Sequence, residues 1–242
     1  MRRLNITGRA GQQLVFFNRV PKVGSQTLME LIRRLAQRNA FAFHRDRVQR
    51  VETIRLAPDD EMRLAAMVST FSTPSVYGFP DPIYMNIVRD PVERVISWYY
   101  YIRAPWYYVE RKRAFPDLPL PDPNWLKKVT CLTQIFTKIP FNTAEALARA
   151  KAAVERHYAV VGVLEELNVT LSVLERYMPR FFAGASDIYW GEGVNSINRN
   201  LYKPPVSEAV KDIVRANFTR ETEFYQFCKQ RLHRQYRALN LV

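Results

Sequence analysis

Cysteine and histidine are scarce in this chain: its 242 residues contain two cysteines, Cys131 and Cys228, and three histidines. Two cysteines cannot form a disulfide framework, and no group of residues has the spacing of a metal site, so we expect no bound metal. No run of 18 apolar residues occurs, which excludes a transmembrane helix within the sequence as written. The first residues, Met-Arg-Arg-Leu-Asn-Ile, also lack the apolar core of a signal peptide.

The charge is strongly positive. With 36 basic and 23 acidic residues the formal net charge is +13, which indicates a polyanionic partner. A sulfated glycan, a nucleic acid or an anionic membrane would each fit, and part of the basic residues is expected to form ordinary solvated surface. The basic clusters are Arg33-Arg34, residues 45–50, 111–113 and 127–128, and Arg231 to Arg237. An apolar content of 48% excludes a disordered protein, and the length suits one α/β domain.

Residues 14–27, Leu-Val-Phe-Phe-Asn-Arg-Val-Pro-Lys-Val-Gly-Ser-Gln-Thr, are the most informative stretch. The apolar run from Leu14 to Phe17 predicts a buried strand, and a helix with one apolar face follows Gly24. A strand, a basic turn and a helix N-terminus together can bind an anion, because the first N–H groups of a helix have no intrahelical partner. Lys22 would add a positive charge. An ordinary turn with a solvent-exposed lysine is the alternative, since the full glycine-rich pattern is absent.

A second stretch has the same organisation. Residues 82–88 predict another buried strand, followed by Arg89-Asp90-Pro91-Val-Glu93. Asp90 suits an N-cap, Pro91 suits the first helical position, and Glu93 would complete a capping box. Arg89 then lies at the end of the strand, and Ser97 lies two helical turns further on. Together they could bind a second phosphate, although Arg89 could instead pair with Asp90 or Glu93.

These two stretches carry a resemblance to a known family. The residues Arg19-Val-Pro-Lys22-x-x-Ser25-x-Thr27, followed by Arg89-Asp-Pro-x-x-Arg94-x-x-Ser97, resemble the two nucleotide-binding motifs of Golgi sulfotransferases. The similarity is to the uronyl and heparan sulfate 2-O-sulfotransferases, in particular their insect Pipe branch, and it covers most of residues 12–237. It implies an α/β, P-loop-like sulfotransferase fold with a central parallel sheet flanked by helices.

The resemblance also implies an activity. Members of that family transfer a sulfuryl group from 3′-phosphoadenosine 5′-phosphosulfate (PAPS) to a uronic acid hydroxyl of a glycosaminoglycan or a glycoprotein glycan. By resemblance, the donor site would consist of Arg19, Lys22, Ser25, Gln26, Thr27, Arg89 and Ser97. The substrate would contact His44, Arg103, Arg199 and Lys203. The resemblance further implies a Golgi lumenal location, so the chain is expected to be a lumenal fragment or a variant without its anchor; a homo-oligomer is a further expectation.

The rest of the chain alternates between predicted helices and strands, which favours a parallel sheet of three or more strands. We expect helices at Asp59 to Val68, 143–156, Leu167 to Tyr177 and Ser207 to about Tyr236, with a strand from Ala159 to Val163. Residues 104–125 are rich in proline and predict a long surface loop. Residues 1–11 would form a tail, and residues 12–242 a single domain without internal repeats.

The chain also departs from the family pattern. Sulfuryl transfer requires a group that accepts the proton of the attacking hydroxyl, and histidine suits that role near neutral pH. Relatives resembling this chain carry such a histidine in a short loop just before the second phosphate strand. Here residues 75–77 lead directly into Gly78, so that loop is missing, and residues 129–140 also differ from the family. The remaining candidates for catalysis are Lys22 and, more weakly, His44. We expect His157 to be structural and His233 to face the solvent.

Two functions from different classes therefore remain. One is a PAPS-dependent glycan sulfotransferase, weakened by the missing loop. The other is a non-catalytic polyanion-binding protein on a sulfotransferase scaffold. A P-loop kinase is disfavoured because no Asp-rich magnesium motif accompanies the first turn, and no nucleic acid is expected as a partner because no recognisable motif accompanies the charge.

Overall fold

The protein is described by a computed structural model, which covers residues 14–45, 64–67, 82–103, 142–197 and 205–241. Within these ranges five strands form one sheet: β1 (Val15–Phe17), β2 (Ala42–Arg45), β3 (Leu64–Met67), β4 (Ile83–Val88) and β5 (Tyr158–Val163). The strand order is β2-β3-β1-β4-β5, and every neighbouring pair is parallel. The prediction of an α/β fold with a central parallel sheet is confirmed.

The described helices cover both the connections and the C-terminal region. They are α1 (Ser25–Arg38), α2 (Pro91–Arg103), α3 (Ala144–His157), α4 (Leu167–Tyr177), α5 (Pro179–Phe182), α6 (Ala185–Gly191), α7 (Glu208–Asn217) and α8 (Thr219–Ala238). Two short 3₁₀ turns, Leu164–Glu166 and Val194–Ser196, complete the described elements. None of the described helices is long and apolar enough to cross a membrane.

Helix α1 fixes the first turn to the core. Its predicted apolar face is buried as expected, through Leu28, Leu31, Ile32 and Leu35. These side chains join a continuous core that includes Phe181 and Phe182 of α5, both almost fully buried. Since burying an aromatic or aliphatic side chain stabilises a fold by about 1.5–3 kcal/mol, this core holds the start of α1 rigidly against the sheet.

The predicted helix from Asp59 to Val68 is wrong in its described part. Residues Leu64–Met67 form β3, which pairs with β1 on one side and with β2 on the other. The segment is rich in helix formers, but a strand between two parallel partners gains backbone hydrogen bonds on both edges. Tertiary pairing therefore outweighs the local preference.

The predicted single helix from Ser207 to Tyr236 is also wrong, because the structure has two helices with a break at Phe218. The side chain of Asn142 lies at this break. Its amide nitrogen donates to the Asn217 carbonyl (3.3 Å), and its oxygen accepts from the Arg220 amide (2.9 Å). A side chain more than 70 residues away thus satisfies both new helix ends, which is why the break leaves no proline or glycine signal in the local sequence.

The other predicted helices and strands agree with the structure to within two residues, whereas β2, α5 and α6 were not predicted. Helix α3 begins after Thr143, whose hydroxyl oxygen accepts from the Ala146 amide (3.1 Å), and α4 has the predicted bounds. Several expectations lie outside the described residues: the tail of residues 1–11, the loop before residue 78, the proline-rich loop of residues 104–125 and the region of residues 129–140.

Candidate anion-binding site

The two predicted turns lie side by side at the carboxyl ends of two inner strands of the sheet. Strands β1 and β4 are parallel neighbours, with Phe17 paired to Met85. Each turn follows the carboxyl end of its strand, so both turns are on the edge where open α/β sheets bind ligands. A direct contact joins them: Nη1 of Arg89 donates to the carbonyl oxygen of Lys22 at 3.3 Å.

The first turn has an unusual backbone that places the start of α1. Lys22 and Gly24 both adopt left-handed conformations, with φ of 65° and 75°. Gly24 precedes the helix and has no side chain that could cap its first N–H groups. A Cβ at Gly24 would lie 2.6 Å from Cδ1 of Leu164, so the glycine also permits close packing. The helix terminus keeps its positive end of the dipole available for an anion.

Three polar residues predicted for the site begin helix α1. Ser25 is buried, and its hydroxyl oxygen accepts a hydrogen bond from Nε of Arg19 at 3.2 Å. Gln26 and Thr27 follow in the first turn of the helix. Arg19, Ser25 and the helix N-terminus therefore belong to one cluster beside Lys22.

Lys22 is held in an environment that disfavours its charge. Its ammonium nitrogen lies 3.8 Å from the ring centroid of Tyr101, on the last turn of α2. Partial burial, together with the neighbouring positive charge of Arg89, lowers the pKa of Lys22 from 10.5 to about 8. A cation that is desolvated and repelled by a second cation gains most when an anion binds between them.

The second turn begins helix α2 as predicted. The Asp90 carboxylate accepts from the Glu93 amide (3.0 Å), and Pro91 is the first helical residue. The reciprocal half of the capping box is not the observed arrangement, because the Asp90 amide donates to the carboxylate of Glu165 at 3.1 Å. Glu165 lies just beyond β5, and Val163 of β5 pairs with Val88 of β4. The pairing of β5 with β4 therefore brings this carboxylate to the turn.

Arg89 is surrounded by ion-pair partners at long distances. Its nitrogens lie 3.6 Å from a carboxylate oxygen of Glu93 and 3.8 Å from one of Glu165. Within the described part of the chain, its buried Nε makes no hydrogen bond. The alternative that Arg89 pairs with Glu93 is therefore correct in part. A buried donor without a hydrogen bond is costly, and an anion bound here would satisfy it.

One face of α2 connects the second turn to the first. Arg94 is buried, and its Nε donates to the carbonyl oxygen of Pro21 at 3.1 Å. Tyr101 contacts the ammonium of Lys22, as described above. Ser97 lies three residues after Arg94 and four before Tyr101, hence on the same helical face. The half-buried Ser97 thus lies between two residues that contact the first turn.

The other predicted residues lie further away or outside the described part. His44 is on β2, two strands from β1, and its backbone is in register with Ala66 of β3. With about 4.8 Å between strands, its backbone is roughly 10 Å from that of β1. Arg103 ends α2, two residues after Tyr101. Arg199 and Lys203 lie outside the described residues.

The other two histidines lie on α3 and α8. His157 is the exposed last residue of α3. His233 is half-buried rather than fully solvent-facing, since its Nε2 lies 2.5 Å from a carboxylate oxygen of Glu166.

Sequence reasoning assigned no site role to four residues that shape this edge, namely Arg94, which it named only within the second motif, Tyr101, Glu165 and Tyr225. The Tyr225 hydroxyl donates to Glu165 at 3.1 Å, and burial together with that carboxylate raises the pKa of Tyr225. Arg94 and Tyr101 could have been identified from their spacing around Ser97 on one helical face. Glu165 follows the predicted strand from Ala159 to Val163, but its place beside Arg89 depends on the strand order, and nothing local marks Tyr225.

Comparison with known proteins agrees with this arrangement. Residues 8–119 match the model of the sulfotransferase family, a range that includes both turns. The uronyl 2-sulfotransferase homolog pip of Drosophila melanogaster is 40% identical over 98% of this chain and 55% of its own length. Human uronyl 2-sulfotransferase is 28% identical over 90% and 62%, and heparan sulfate 2-O-sulfotransferase 1 of Xenopus laevis is 27% identical over 88% and 69%.

The chain thus spans between half and two thirds of the length of the first two relatives. The alignment with the Drosophila protein is 285 positions long, which exceeds the 242 residues of this chain. The Drosophila protein therefore has residues within the aligned region that this chain lacks. Together, the family match, the identity across nearly the whole chain and the two adjacent turns lead to one conclusion: this chain belongs to the sulfotransferase family.

Proposed function

We propose that this chain is a PAPS-dependent sulfotransferase that transfers a sulfuryl group to a uronic acid hydroxyl of a glycan. Membership of the family implies a sulfate donor. The observation that carries the proposal is the pair Lys22 and Arg89. These two partly buried cations lie on adjacent turns joined by a 3.3 Å hydrogen bond, and burial, followed by the charge of Arg89, lowers the pKa of Lys22. Such a site fits a ligand with more than one anionic group.

The 5′-phosphosulfate would bind at the first turn. Lys22 would neutralise it, and the hydroxyls of Ser25 and Thr27 and the first N–H groups of α1 would donate to its oxygens. Arg19 would orient Ser25, to which it already donates. Gln26, in the same helical turn, would complete this set of donors.

The 3′-phosphate would bind at the second turn. The buried Nε of Arg89, without a hydrogen bond among the described residues, supplies the donor that such a phosphate requires. Ser97 would add a hydroxyl from the face of α2 that also carries Arg94 and Tyr101. Both of those residues contact the first turn, which would keep the two phosphate sites at a fixed distance.

The proposed reaction is a displacement at sulfur. The acceptor oxygen forms a new bond to the sulfur atom, the bond between sulfur and the bridging phosphate oxygen breaks, and 3′,5′-adenosine bisphosphate leaves. The acceptor proton passes to a base or to water. A charged Lys22 would stabilise the negative charge that develops on the bridging oxygen, which is the usual origin of catalysis by a fixed cation.

The acceptor side of the site is proposed from the relatives. The Xenopus protein is named a heparan sulfate 2-O-sulfotransferase, and the human protein a uronyl 2-sulfotransferase. We assign Arg103, Arg199 and Lys203 to contacts with the acidic groups of a similar polysaccharide, with His44 as a weaker candidate for substrate contact or base. A single domain from residue 12 to 242, a Golgi lumenal location and a homo-oligomeric assembly belong to the same proposal.

A non-catalytic polyanion-binding protein is the second candidate, favoured only by the absence of the family's histidine-bearing loop before Gly78. One experiment separates the two. The protein is incubated with sulfur-labelled PAPS and a desulfated uronic-acid polymer, and label on the polymer is measured together with free 3′,5′-adenosine bisphosphate. The proposal expects equal amounts of both products. Polymer binding without either product would establish the second candidate instead.

The lowered pKa of Lys22 gives a pH dependence of donor binding. Lys22 is charged below pH 8 and loses its proton above it, whereas a bound anion raises its pKa. We therefore expect the affinity for 3′,5′-adenosine bisphosphate to fall above pH 8 by up to about tenfold per pH unit. Titration calorimetry between pH 7 and 9.5 measures this. Lys22→Arg should remove the decline, and an equally flat profile in the unchanged protein would contradict the assignment.

A further inference from the structure

Helix α8 carries a polar groove on its outer face, away from the two turns. The groove has a volume of about 370 Å³. Its lining residues are Gln226, Lys229, Gln230, His233, Arg234 and Arg237. None of these described lining residues is acidic. They follow one another at alternating intervals of three and one residues along one helix, so they form a stripe roughly 16 Å long.

The structure divides the basic C-terminal cluster into two parts. Arg231 is buried, and its guanidinium donates to the carbonyl oxygen of Tyr158 at 2.8 Å, so it is not available to a ligand. Arg234 and Arg237 are exposed, and neither forms an ion pair within the described ranges. The surface charge of this cluster is therefore concentrated in the groove.

One carboxylate holds the beginning of the groove in place. Glu166 lies 2.7 Å from the ammonium of Lys229 and 2.5 Å from Nε2 of His233. Glu166 directly follows Glu165, the carboxylate that contacts Asp90 and lies near Arg89. Through the neighbouring residues Glu165 and Glu166, this part of the groove is linked to the carboxyl ends of the strands that carry the proposed donor site.

The groove then leads away from these carboxyl ends. Further along α8, Arg231 and Gln235 donate to the carbonyl oxygens of Tyr158 and Ala159, at the start of β5. Helix α8 therefore runs from the carboxyl end of β5 towards its amino end. A ligand in the groove would extend along the outside of the sheet, from the proposed donor site towards the amino end of β5.

The chemistry of the groove favours a sulfated polysaccharide. Arg234, Arg237 and Lys229 suit sulfate and carboxylate groups, and the two glutamine amides can exchange hydrogen bonds with sugar hydroxyls. The lining has no aromatic side chain on which a nucleic-acid base could stack. A rigid helix with cations at fixed spacing also fits an extended polymer better than a compact anion.

We propose that the outer groove of α8 is a second, non-catalytic binding site for the sulfated polysaccharide, which holds the polymer beside the proposed donor site. This inference rests on the proposed function for the identity of its ligand. The groove itself is defined by residues that take no part in the proposed donor site.

The test compares two variants that lose the same charge. One is Lys229→Ala/Arg234→Ala/Arg237→Ala, and the control is Arg149→Ala/Arg180→Ala/Arg215→Ala, three exposed arginines on α3, α5 and α7. Binding of a heparin fragment is titrated at several salt concentrations. Because each cation that contacts a polyanion adds to the salt dependence, the groove variant should have a slope of log affinity against log salt shallower by about two to three. Its affinity near physiological salt should fall at least about tenfold, and that of the control less than threefold.

Further measurements make the outcome unambiguous. Arg234→Ala/Arg237→Ala keeps the Lys229–Glu166 pair and should show about two thirds of the triple variant's change in slope, because it removes two of the three cations. This double variant guards against misfolding of the triple variant. Equal losses in groove and control variants, or no loss in either, would overturn the site. A DNA duplex that binds as tightly as heparin and depends equally on the groove would overturn the polysaccharide assignment. The thermal shift with 3′,5′-adenosine bisphosphate is recorded in parallel; its absence from the unchanged protein would count against the donor site alone.

Discussion

Lys22→Gly and Arg89→Ala should each remove at least about half of the stabilisation by 3′,5′-adenosine bisphosphate. At a ligand concentration 100 times Kd, binding stabilises a protein by about 2.7 kcal/mol. For a chain of this size that corresponds to a rise in Tm of roughly 5–10 °C. Losing a charge-assisted contact of about 1.5–3 kcal/mol weakens binding by roughly 10- to 150-fold, so about one half to one tenth of the rise would remain.

Lys22→Gly is the sharper of the two variants. It removes the ammonium, but it also removes a side chain from a left-handed residue and a cation that is repelled by Arg89. We therefore expect the ligand-free Tm to stay the same or rise while the rise in Tm with the nucleotide falls to about half or less. Arg33→Ala is the control for the loss of one positive charge on α1, because Arg33 is half-exposed and pairs with Glu30. A Lys22→Gly protein with an undiminished shift would show that the nucleotide binds elsewhere.

Turnover should be at least about a hundredfold below that of a relative with an intact loop before the second phosphate strand. The sequence resemblance implies that the donor residues are present and that the segment in which relatives place a general base is missing. General acid–base catalysis typically contributes about 10²- to 10⁴-fold in rate. The backbone of His44, the weaker candidate base, is on β2, two strands from β1. We therefore expect His44 to replace the missing group only in small part. Steady-state kinetics of PAPS turnover with the same polymer measures the difference.

A graft tests the reason for the low rate. A histidine-containing loop inserted between Tyr77 and Gly78 should restore part of the turnover without changing the affinity for 3′,5′-adenosine bisphosphate. The matched control is a loop of the same length with alanine in place of the histidine. If the alanine loop restores as much, the missing segment acts through folding rather than through proton transfer. Full activity of the ungrafted chain that is insensitive to His44→Ala would contradict the prediction outright.

The two turns could be predicted from the sequence because each depends on local residues. The apolar runs before Asn18 and Arg89 set the strands, and Gly24, Asp90 and Pro91 set the helix starts. Because the two strands are parallel, both turns lie on the side of the sheet where the strands have their carboxyl ends. What the sequence could not provide was the order of the strands, and with it the carboxylate of Glu165 beside Arg89.

The errors have a common cause, which is pairing between distant parts of the chain. Residues 64–67 have the local preferences of a helix and become a strand because β1 and β2 flank them. The break at Phe218 depends on Asn142. Tyr225, 60 residues from Glu165 in sequence, contacts it through the fold alone. Interactions of this kind have no periodicity or spacing that a single sequence could reveal.

The hydrogen bonds from α8 to β5 also cover the start of an outer strand. β5 is an outer strand of the described sheet, and outer strands can recruit a strand from another molecule. Arg231 and Gln235 occupy the carbonyl oxygens of Tyr158 and Ala159, and Gln235 also accepts from Arg231. The start of β5 is thereby closed to intermolecular pairing. The contacts that anchor α8 thus also act as a safeguard against edge-to-edge aggregation on this border of the described sheet.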